Sequence, residues 1–289
     1  MGLLRFWRHF WPGRRAAWVF TLTLRITTFA LLATAAPAPA DEAIVPIERS
    51  AQPEILTLRG EVFHVQGLDI DAQFIYVTSA DTRGRRALLH KFNRAGDLVG
   101  VVDITDGSRT HPGGFSIEGD SIWIPVAEYR PGSTSRIVEI DKATLTIRSS
   151  FLVNDHIGAV AAGGGRIHGG NWDSEMLYAW DARGHQLTRV RNPGRVAYQD
   201  LKWVDGVLVA SGLQRGGFAG AVDWLDPDTL QFRGHLPVGR MENGGVWAQE
   251  GMALAGDSLY FLPDDGRDGV ARVYVFDLAR LSGTAMLSH

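Results

Sequence analysis

The sequence contains no cysteine, and this absence excludes disulfide bonds and thiolate metal sites. Any metal would therefore need His, Asp, Glu or amide ligands. No segment of useful length after residue 41 shows the apolar spacing of an amphipathic helix. The chain is nevertheless 45% hydrophobic over 289 residues, so it can form a sizeable core built from strands.

Several catalytic signature motifs are also absent. The sequence has no G-x-S-x-G, no H-E-x-x-H and no phosphate-binding loop. These absences argue against serine hydrolases with a nucleophile elbow, zinc proteases and kinases. The glycine-rich stretch AAGGGRIHGG (161–170) lies at a predicted β-turn with no helix after it, so it does not indicate a nucleotide site.

Residues 1–40 have the composition of an export signal. They contain five Arg and no acid, with the apolar run 26–36 near their end. Small-residue patterns predict cleavage near Ala36 or Asp41, after export by the Sec or the twin-arginine route. We therefore predict a signal peptide over 1–40, a single domain over 41–289, and a periplasmic or secreted protein.

Positive charge is scarce in the predicted mature chain. Residues 41–289 carry 24 Lys and Arg against 32 Asp and Glu, a net charge of −8, which argues against nucleic acid as a partner. The basic cluster Arg83, Arg85 and Arg86 is typical of a solvated loop tip. We expect a monomer that contacts a membrane only through the N-terminal segment, if that segment is retained.

One sequence unit recurs five times at intervals of 41 to 51 residues. In each copy an apolar anchor residue is followed by a short polar turn and a strand of alternating apolar residues. The anchors are Leu68, Phe115, Val160, Leu201 and Met252. A fixed period of about 40–50 residues is the signature of a propeller or a repeat array.

The repeat predicts an all-β fold, a five-bladed β-propeller. The first four units contain four predicted strands each, whereas only three are predicted in the fifth. The segment EILTLRGEVF (54–63) alternates correctly, and we predict that this N-terminal strand pairs with the last blade and closes the ring. Closure removes the long open edges of a linear array. A large β-sandwich is the competing fold.

The register predicts which side chains meet at the channel mouth, because all innermost strands of a propeller begin there. Four residues before the anchors stand His64, His111, His156, Ala197 and Ala248. Two residues before them stand Gln66, Gly113, Gly158, Gln199 and Glu250. Two interpretations of the histidines stay open. They bond the backbone of a neighbouring blade, or they line a polar mouth with Gln66, Gln199, Asp200 and Glu250.

The segment HGGNWDSE (168–175) adds a second group of candidates. Its two glycines allow close backbone approach, and Asn171, Trp172 and Asp173 offer an amide, a ring and a carboxylate just after a strand. The alternative is structural, with Trp172 packed between blades and Asn171 capping the turn. Neutral imidazoles suit zinc, iron or copper, so His64, His111 and His156 are also candidate ligands of a divalent metal.

The strings HVQGL (64–68), HPGG (111–114) and RIHGGNWDSEMLYAWD (166–181) resemble a family of bacterial secreted propellers of unknown function. More distantly, the chain is similar to plant-type glutaminyl cyclases and gluconolactonase-like hydrolases. Cyclases of this type place a Glu after the second strand of their first unit, where this chain has Val77. The gluconolactonase resemblance implies a divalent cation, for which Glu250, Asn171 and Asp200 or Asp264 are of suitable types.

Two functions of different classes follow. The first is a binding propeller that recognises a small polar molecule or a peptide at the channel mouth. The second is a metal-assisted hydrolase or lactonase in which Glu250 or His111 performs acid–base catalysis. Glutaminyl cyclase activity is a third and less favoured possibility. The predicted ligand-binding residues are His64, Gln66, His111, His156, Asn171, Trp172, Asp173, Gln199, Asp200 and Glu250.

Overall fold

The computed structural model describes residues 52–216, 219–266 and 270–278. The predicted signal peptide lies outside these residues. The described residues form 21 strands and two three-residue 3-10 turns, Trp172–Ser174 and Trp247–Gln249. No helix in the described part of the chain has the length and apolar character of a membrane span. The strands form five separate antiparallel sheets, so the five-bladed propeller is confirmed and the β-sandwich is excluded.

Each sheet is one blade. In blades 1 to 4 the innermost strand comes first in sequence, whereas blade 5 takes its outermost strand from the N-terminal side of the chain. The strand before the first repeat is β1 (Glu54–Thr57). Blade 1 contains β2 (His64–Ile70), β3 (Phe74–Asp81), β4 (Arg86–Asn93) and β5 (Leu98–Asp103). Blade 2 contains β6 (His111–Pro112), β7 (Ser116–Glu118), β8 (Ser121–Ala127), β9 (Ser135–Asp141) and β10 (Ile147–Val153).

The remaining blades have the same order. Blade 3 contains β11 (Ile157–Gly163), β12 (Arg166–Asn171), β13 (Met176–Trp180) and β14 (Gln186–Arg191). Blade 4 contains β15 (Val196–Val204), β16 (Val207–Gln214), β17 (Gly220–Leu225) and β18 (Phe232–Val238). Blade 5 contains β19 (Gly251–Ala255), β20 (Ser258–Leu262), β21 (Arg272–Asp277) and, from the N-terminal side, β1.

The ring closes through β1, as the sequence predicted. This strand pairs antiparallel with β21, with Glu54 opposite Val275 and Thr57 opposite Arg272. Beyond it, the backbone N–H of Leu58 donates to the carbonyl of Ala271 at 3.0 Å. The outer edge of blade 5 is therefore covered by the chain's own N-terminal strand, which removes the exposed pairing edge that β21 would otherwise present.

Apolar side chains fill every interface between neighbouring blades. The structure contains five hydrophobic clusters, and each joins side chains from two adjacent blades, including the pair formed by blades 5 and 1. The inner and middle strands are consequently buried on both faces, as in β3. The outermost strands alternate between exposed and half-buried residues, as in β5. This difference in burial explains why the inner strands and the outermost strands of the repeat have different patterns of apolar residues.

The five anchors lie in the centre of the molecule, and all of them are fully buried, at 0% exposure. The residue before the anchor faces the crowded axis. A Cβ on Gly114 would lie 2.7 Å from the Asp200 Cα and would also overlap the Gln199 carbonyl oxygen. Only glycine allows the inner strands of blades 2 and 4 to approach this closely. The Gly-apolar pair of the repeat is therefore a packing requirement.

Blade 4 has Asp200 at this axial position, and its carboxylate ties the blades together. It accepts hydrogen bonds from the backbone N–H groups of two anchors, Leu68 at 3.1 Å and Met252 at 3.0 Å. The Lys202 ammonium lies 2.5 Å from its other oxygen and also donates to the Phe115 carbonyl. Burial raises the pKa of Asp200 to about 6, although Lys202 and the N–H donors oppose this shift. One side-chain pair thus links blades 1, 2, 4 and 5.

Candidate functional site

A cavity of about 210 Å³ opens where the inner strands begin. All five blades contribute to its wall. The lining residues are His64, Gln66, His111, Tyr129, His156, Gly158, Asn171, Trp172, Asp173, Tyr198, Gln199 and Glu250. All predicted ligand-binding residues except Asp200 are in this set. The structure therefore brings the predicted positions together, and their role in binding stays a prediction.

Asp200 does not line the cavity. Its side chain is fully buried and saturated by Lys202 and by backbone donors. The adjacent Gln199 lines the cavity instead. This difference arises because the pairing of β15 skips Gln199 and changes the direction of its side chain. Gln199 therefore lies in the cavity wall and Asp200 on the axis.

Backbone bulges determine which residues face the cavity. The inner strands of blades 1, 3 and 4 each skip one residue in their pairing, at Gln66, Gly158 and Gln199. A bulge leaves the extra residue unpaired and changes the direction of its side chain. Gln66 and Gln199 thereby reach the cavity, at the same repeat position as Glu250 in blade 5.

Two lining tyrosines were missed by the sequence analysis. Tyr129 follows Glu128 in the loop between β8 and β9 and is 69% exposed at the rim. Tyr198 is buried, and its hydroxyl donates to Asp223 at 2.7 Å. Its place in the repeated segment AYQDLKW (197–203), three residues before the anchor Leu201, was a usable signal. Tyr129 lies in a loop whose length differs from blade to blade, so the alignment of the repeats could not place it.

Aromatic rings form one side of the cavity. The Trp172 ring lies between Tyr129 and His156, with centroid distances of 5.7 and 4.7 Å. His111 continues this group, 4.5 Å from Tyr129 and 6.0 Å from His156. The four rings come from blades 2 and 3, so this side of the cavity is an aromatic wall (His111, Tyr129, His156 and Trp172).

A tight turn presents Trp172 and Asp173 to the cavity. Asp173 and Ser174 both have positive φ, 54° and 48°, a conformation that costs energy for residues other than glycine and is concentrated at functional sites. The turn is held by the buried Ser174 hydroxyl, which donates to the Tyr198 carbonyl at 3.0 Å, and by Asn171, whose amide oxygen accepts the Met176 N–H at 2.8 Å. Asn171 thus holds the turn from its far end through Met176, without a side-chain cap hydrogen bond within the turn, and also lines the cavity.

The opposite side of the cavity is acidic and contains Glu250, with His64 and Asp264 nearby. His64 Nδ1 lies 3.0 Å from Asp264 Oδ2. This hydrogen bond raises the pKa of His64 and lowers the pKa of Asp264. Glu250 is 8% exposed, and burial raises its pKa to about 8, against the smaller opposing effect of His64. A carboxylic acid that stays protonated near pH 7 can donate a proton or a hydrogen bond.

The other two histidines are neutral near pH 7, because burial lowers the pKa of His156 and lowers that of His111 to about 3. His156 Nδ1 donates to the Glu128 carbonyl of blade 2 at 2.9 Å, which leaves Nε2 as an acceptor. His64 and His156 each bond a residue of a neighbouring blade, so they staple blades and line the cavity at once. The predicted bond to a neighbouring backbone is present for His156, whereas His64 bonds a side chain, and a role of these histidines in ligand binding stays a prediction.

The geometry does not fit the predicted metal site. In the described ranges, no three His, Asp or Glu side chains are grouped so that they could hold one metal ion. The His64 and His156 Nδ1 atoms are used by Asp264 and by the Glu128 carbonyl. Asn171 and Asp200, the further candidates from the gluconolactonase resemblance, bond Asp155 and Lys202 respectively. No chemical step in this cavity is therefore assigned to a metal.

A family model described as "Family of unknown function (DUF6454)" matches residues 40–279. The chain belongs to this family. The match covers the whole ring of blades in the DUF6454 protein and all residues of the cavity wall. No curated protein matches the chain.

The DUF6454 protein shares its fold with one solved structure and matches two others at lower TM-scores. Glutaminyl cyclase from Myxococcus xanthus is 12% identical and superposes with a TM-score of 0.52 over 78% of this chain and 96% of that chain. BamB from Moraxella catarrhalis is 14% identical, with a TM-score of 0.38 over 75% and 61% of the two chains. The WD40 domain of Toxoplasma gondii coronin is 10% identical, with a TM-score of 0.36 over 81% and 78%. At 12% identity the likeness to the cyclase concerns the fold alone.

Proposed function

We propose that this DUF6454 protein binds a small polar molecule or a short peptide in the channel-mouth cavity, in the periplasm or outside the cell. The observation that carries the proposal is the convergence of polar side chains from all five blades on one cavity of about 210 Å³. A concave site with a few convergent polar groups and residues of perturbed pKa is the usual form of a ligand site.

Two local features support binding at this position. Three bulges interrupt the inner strands at the cavity, at Gln66, Gly158 and Gln199, and bulges of this kind re-aim side chains next to functional sites. The turn at Asp173 and Ser174 keeps two non-glycine residues at positive φ. The bulged residues Gln66, Gly158 and Gln199 themselves lie outside the apolar clusters that fill the blade interfaces.

A thermal-shift experiment with the purified mature chain tests the proposal. The probes are a panel of amino acids, amines, sugars, carboxylic acids and dipeptides. We expect at least one chemical class to raise Tm, and we expect Gln199→Ala to remove this shift. Gln231→Ala, in an exposed turn outside the cavity, is the matched control and should retain it. The proposal fails if no class raises Tm, or if the shift survives in Gln199→Ala.

A hydrolase is the second candidate, and the specific observation for it is the buried, proton-retaining Glu250 beside the His64–Asp264 pair. Glu250 would act as general acid towards a leaving group. Hydrolysis of lactones and p-nitrophenyl esters that is lost in Glu250→Gln would support it, and hydrolysis unchanged in that variant would exclude it. The fold shared with a glutaminyl cyclase gives no support for cyclisation, and Val77 is fully buried in the core between blades 1 and 5.

A further inference from the structure

Glu250 differs from the other buried carboxylates in the described part of the chain. Asp69, Asp81, Asp200 and Asp223 are each held by backbone N–H groups, by a basic side chain or by a tyrosine hydroxyl. Glu250 is more than nine-tenths buried, yet no backbone N–H, Lys or Arg of the described residues donates to it. The groups that act on it are the neighbouring Gln249 side chain, through a hydrogen bond, and the charges of His64 and Asp264.

A buried carboxyl group without a backbone or charged donor is costly, and a bound partner is one explanation for such a group. Glu250 lines the cavity, so a ligand in the cavity can supply the donor that the described residues do not. A hydrogen-bond donor with positive charge fits this position best, because such a donor stabilises the ionised carboxylate, the form that burial disfavours.

The rest of the cavity wall agrees with a cationic ligand. The wall contains no Lys or Arg among its described lining residues. Its histidines other than His64 are kept neutral by burial, and Asp173 adds a second carboxylate at the rim. The aromatic wall presents Trp172 and Tyr129, and the faces of such rings attract organic cations. An anionic ligand would meet two carboxyl groups and no permanent positive charge.

We infer that the ligand of this cavity is a protonated amine whose ammonium group binds the Glu250 carboxylate and whose organic part packs against Trp172 and Tyr129. This inference rests on the proposed binding function and names its ligand class. On binding, the Glu250 carboxyl loses its proton to solvent and the ammonium group donates to the resulting carboxylate. The groups that act on Glu250 are His64 on β2 and Asp264 after β20, and these two remain paired with each other.

Isothermal titration at pH 7 with n-butylamine, butan-1-ol and butyrate tests the inference, because the three probes have matched size and different charge. We expect butylamine to bind at least about tenfold more tightly than the other two, the factor that one buried charge-assisted contact provides. Repeating the titration in buffers of different ionisation enthalpy should show about one proton released per amine bound, since Glu250 is the group that ionises.

Two variants and one control locate the effect. Glu250→Gln keeps the side-chain shape. It should abolish proton release and weaken the binding of butylamine by about tenfold or more. Trp172→Leu should weaken the binding of butylamine by about two- to thirtyfold, while proton release on binding persists. Glu139→Gln, on β9 and outside the cavity wall, should change neither quantity.

The outcomes separate this inference from the proposed function. Butanol or butyrate binding as tightly as butylamine would overturn the amine inference and leave a ligand site in place. Amine binding that is unchanged in Glu250→Gln would overturn it as well. Failure of butylamine to bind also contradicts it, whereas the proposed function fails only if the wider panel of neutral, anionic and cationic compounds gives no cavity-dependent shift.

Discussion

His64 Nδ1 lies 3.0 Å from Asp264 Oδ2, and this contact joins the first and last blades at the edge of the cavity. The hydrogen bond is the largest cause of the raised pKa of His64. Asp264→Asn should therefore lower the His64 pKa, and an NMR titration of the imidazole signals measures the change. Asp97→Asn, whose carboxylate pairs with Arg59 at the surface, should leave it unaltered. An unchanged His64 pKa in Asp264→Asn would show that the contact does not form in solution.

Glu250 should make stability depend on pH in a defined direction. Burial raises its pKa from 4.5 to about 8. Below pH 4.5 the carboxyl group is protonated in both the folded and the unfolded chain, so it has no effect. Between pH 4.5 and 8 only the unfolded chain releases the proton, so the free energy of unfolding falls as pH rises, by up to about 1.4 kcal/mol per pH unit.

The measurement is the difference in the free energy of unfolding between Glu250→Gln and the unaltered chain, because the other titrating groups cancel in this difference. The variant should gain relative stability from pH 5 to pH 8 and level off above pH 8. A difference that is constant over this range would contradict the buried, proton-retaining state of Glu250.

The axial pair Asp200–Lys202 should be essential for stability. Lys202→Met leaves the Asp200 carboxylate buried without its cation, and removing one partner of a buried pair costs about 3–5 kcal/mol. Urea denaturation at pH 7 measures the loss. The matched control is Arg59→Met at the surface pair with Asp97, whose side chains are 56% and 50% exposed, where about 1 kcal/mol or less is expected. Similar effects of the two variants would show that the axial pair does not form as described.

Gly114→Ala should destabilise the ring, because the new methyl group would lie 2.7 Å from the Asp200 Cα and would push the inner strands of blades 2 and 4 apart. Overpacking of this kind costs about 1–3 kcal/mol. Gly158→Ala is the control, since its nearest neighbour would be 3.8 Å away. Thermal or urea unfolding compares the two, and equal stability losses would contradict the close approach at Gly114.

Much of the candidate site could be predicted from sequence because the propeller fixes where each inner strand begins. Once the anchors were aligned, the positions two and four residues before them had to meet at the channel mouth, and His64, His111, His156 and Glu250 do line the cavity. Only part of the aromatic wall could be predicted from the alignment of the repeats. Trp172 follows a predicted strand, whereas Tyr129 lies in a loop whose path depends on contacts with other blades.

The assignment of Asp200 shows the limit of register arguments. Gln199 and Asp200 are adjacent, and both were predicted to face the ligand, yet only Gln199 does. The sequence contains no sign of the bulge between Tyr198 and Asp200, and one inserted residue decides which neighbour points into the cavity. The predicted metal site does not fit the structure for a similar reason. Histidines are suitable metal ligands, but the His64 and His156 rings are oriented by hydrogen bonds to Asp264 and to the Glu128 carbonyl.

The amino-acid sequence by itself determined the number of blades, their order and the closing strand, since alternating apolar residues and Gly-apolar pairs can bury their surface only by stacking as repeated sheets. The tertiary structure alone decided the chemistry of the cavity. Bulges, cross-blade hydrogen bonds and the desolvation of Glu250 depend on atoms that are far apart in the chain and meet only when the ring has closed.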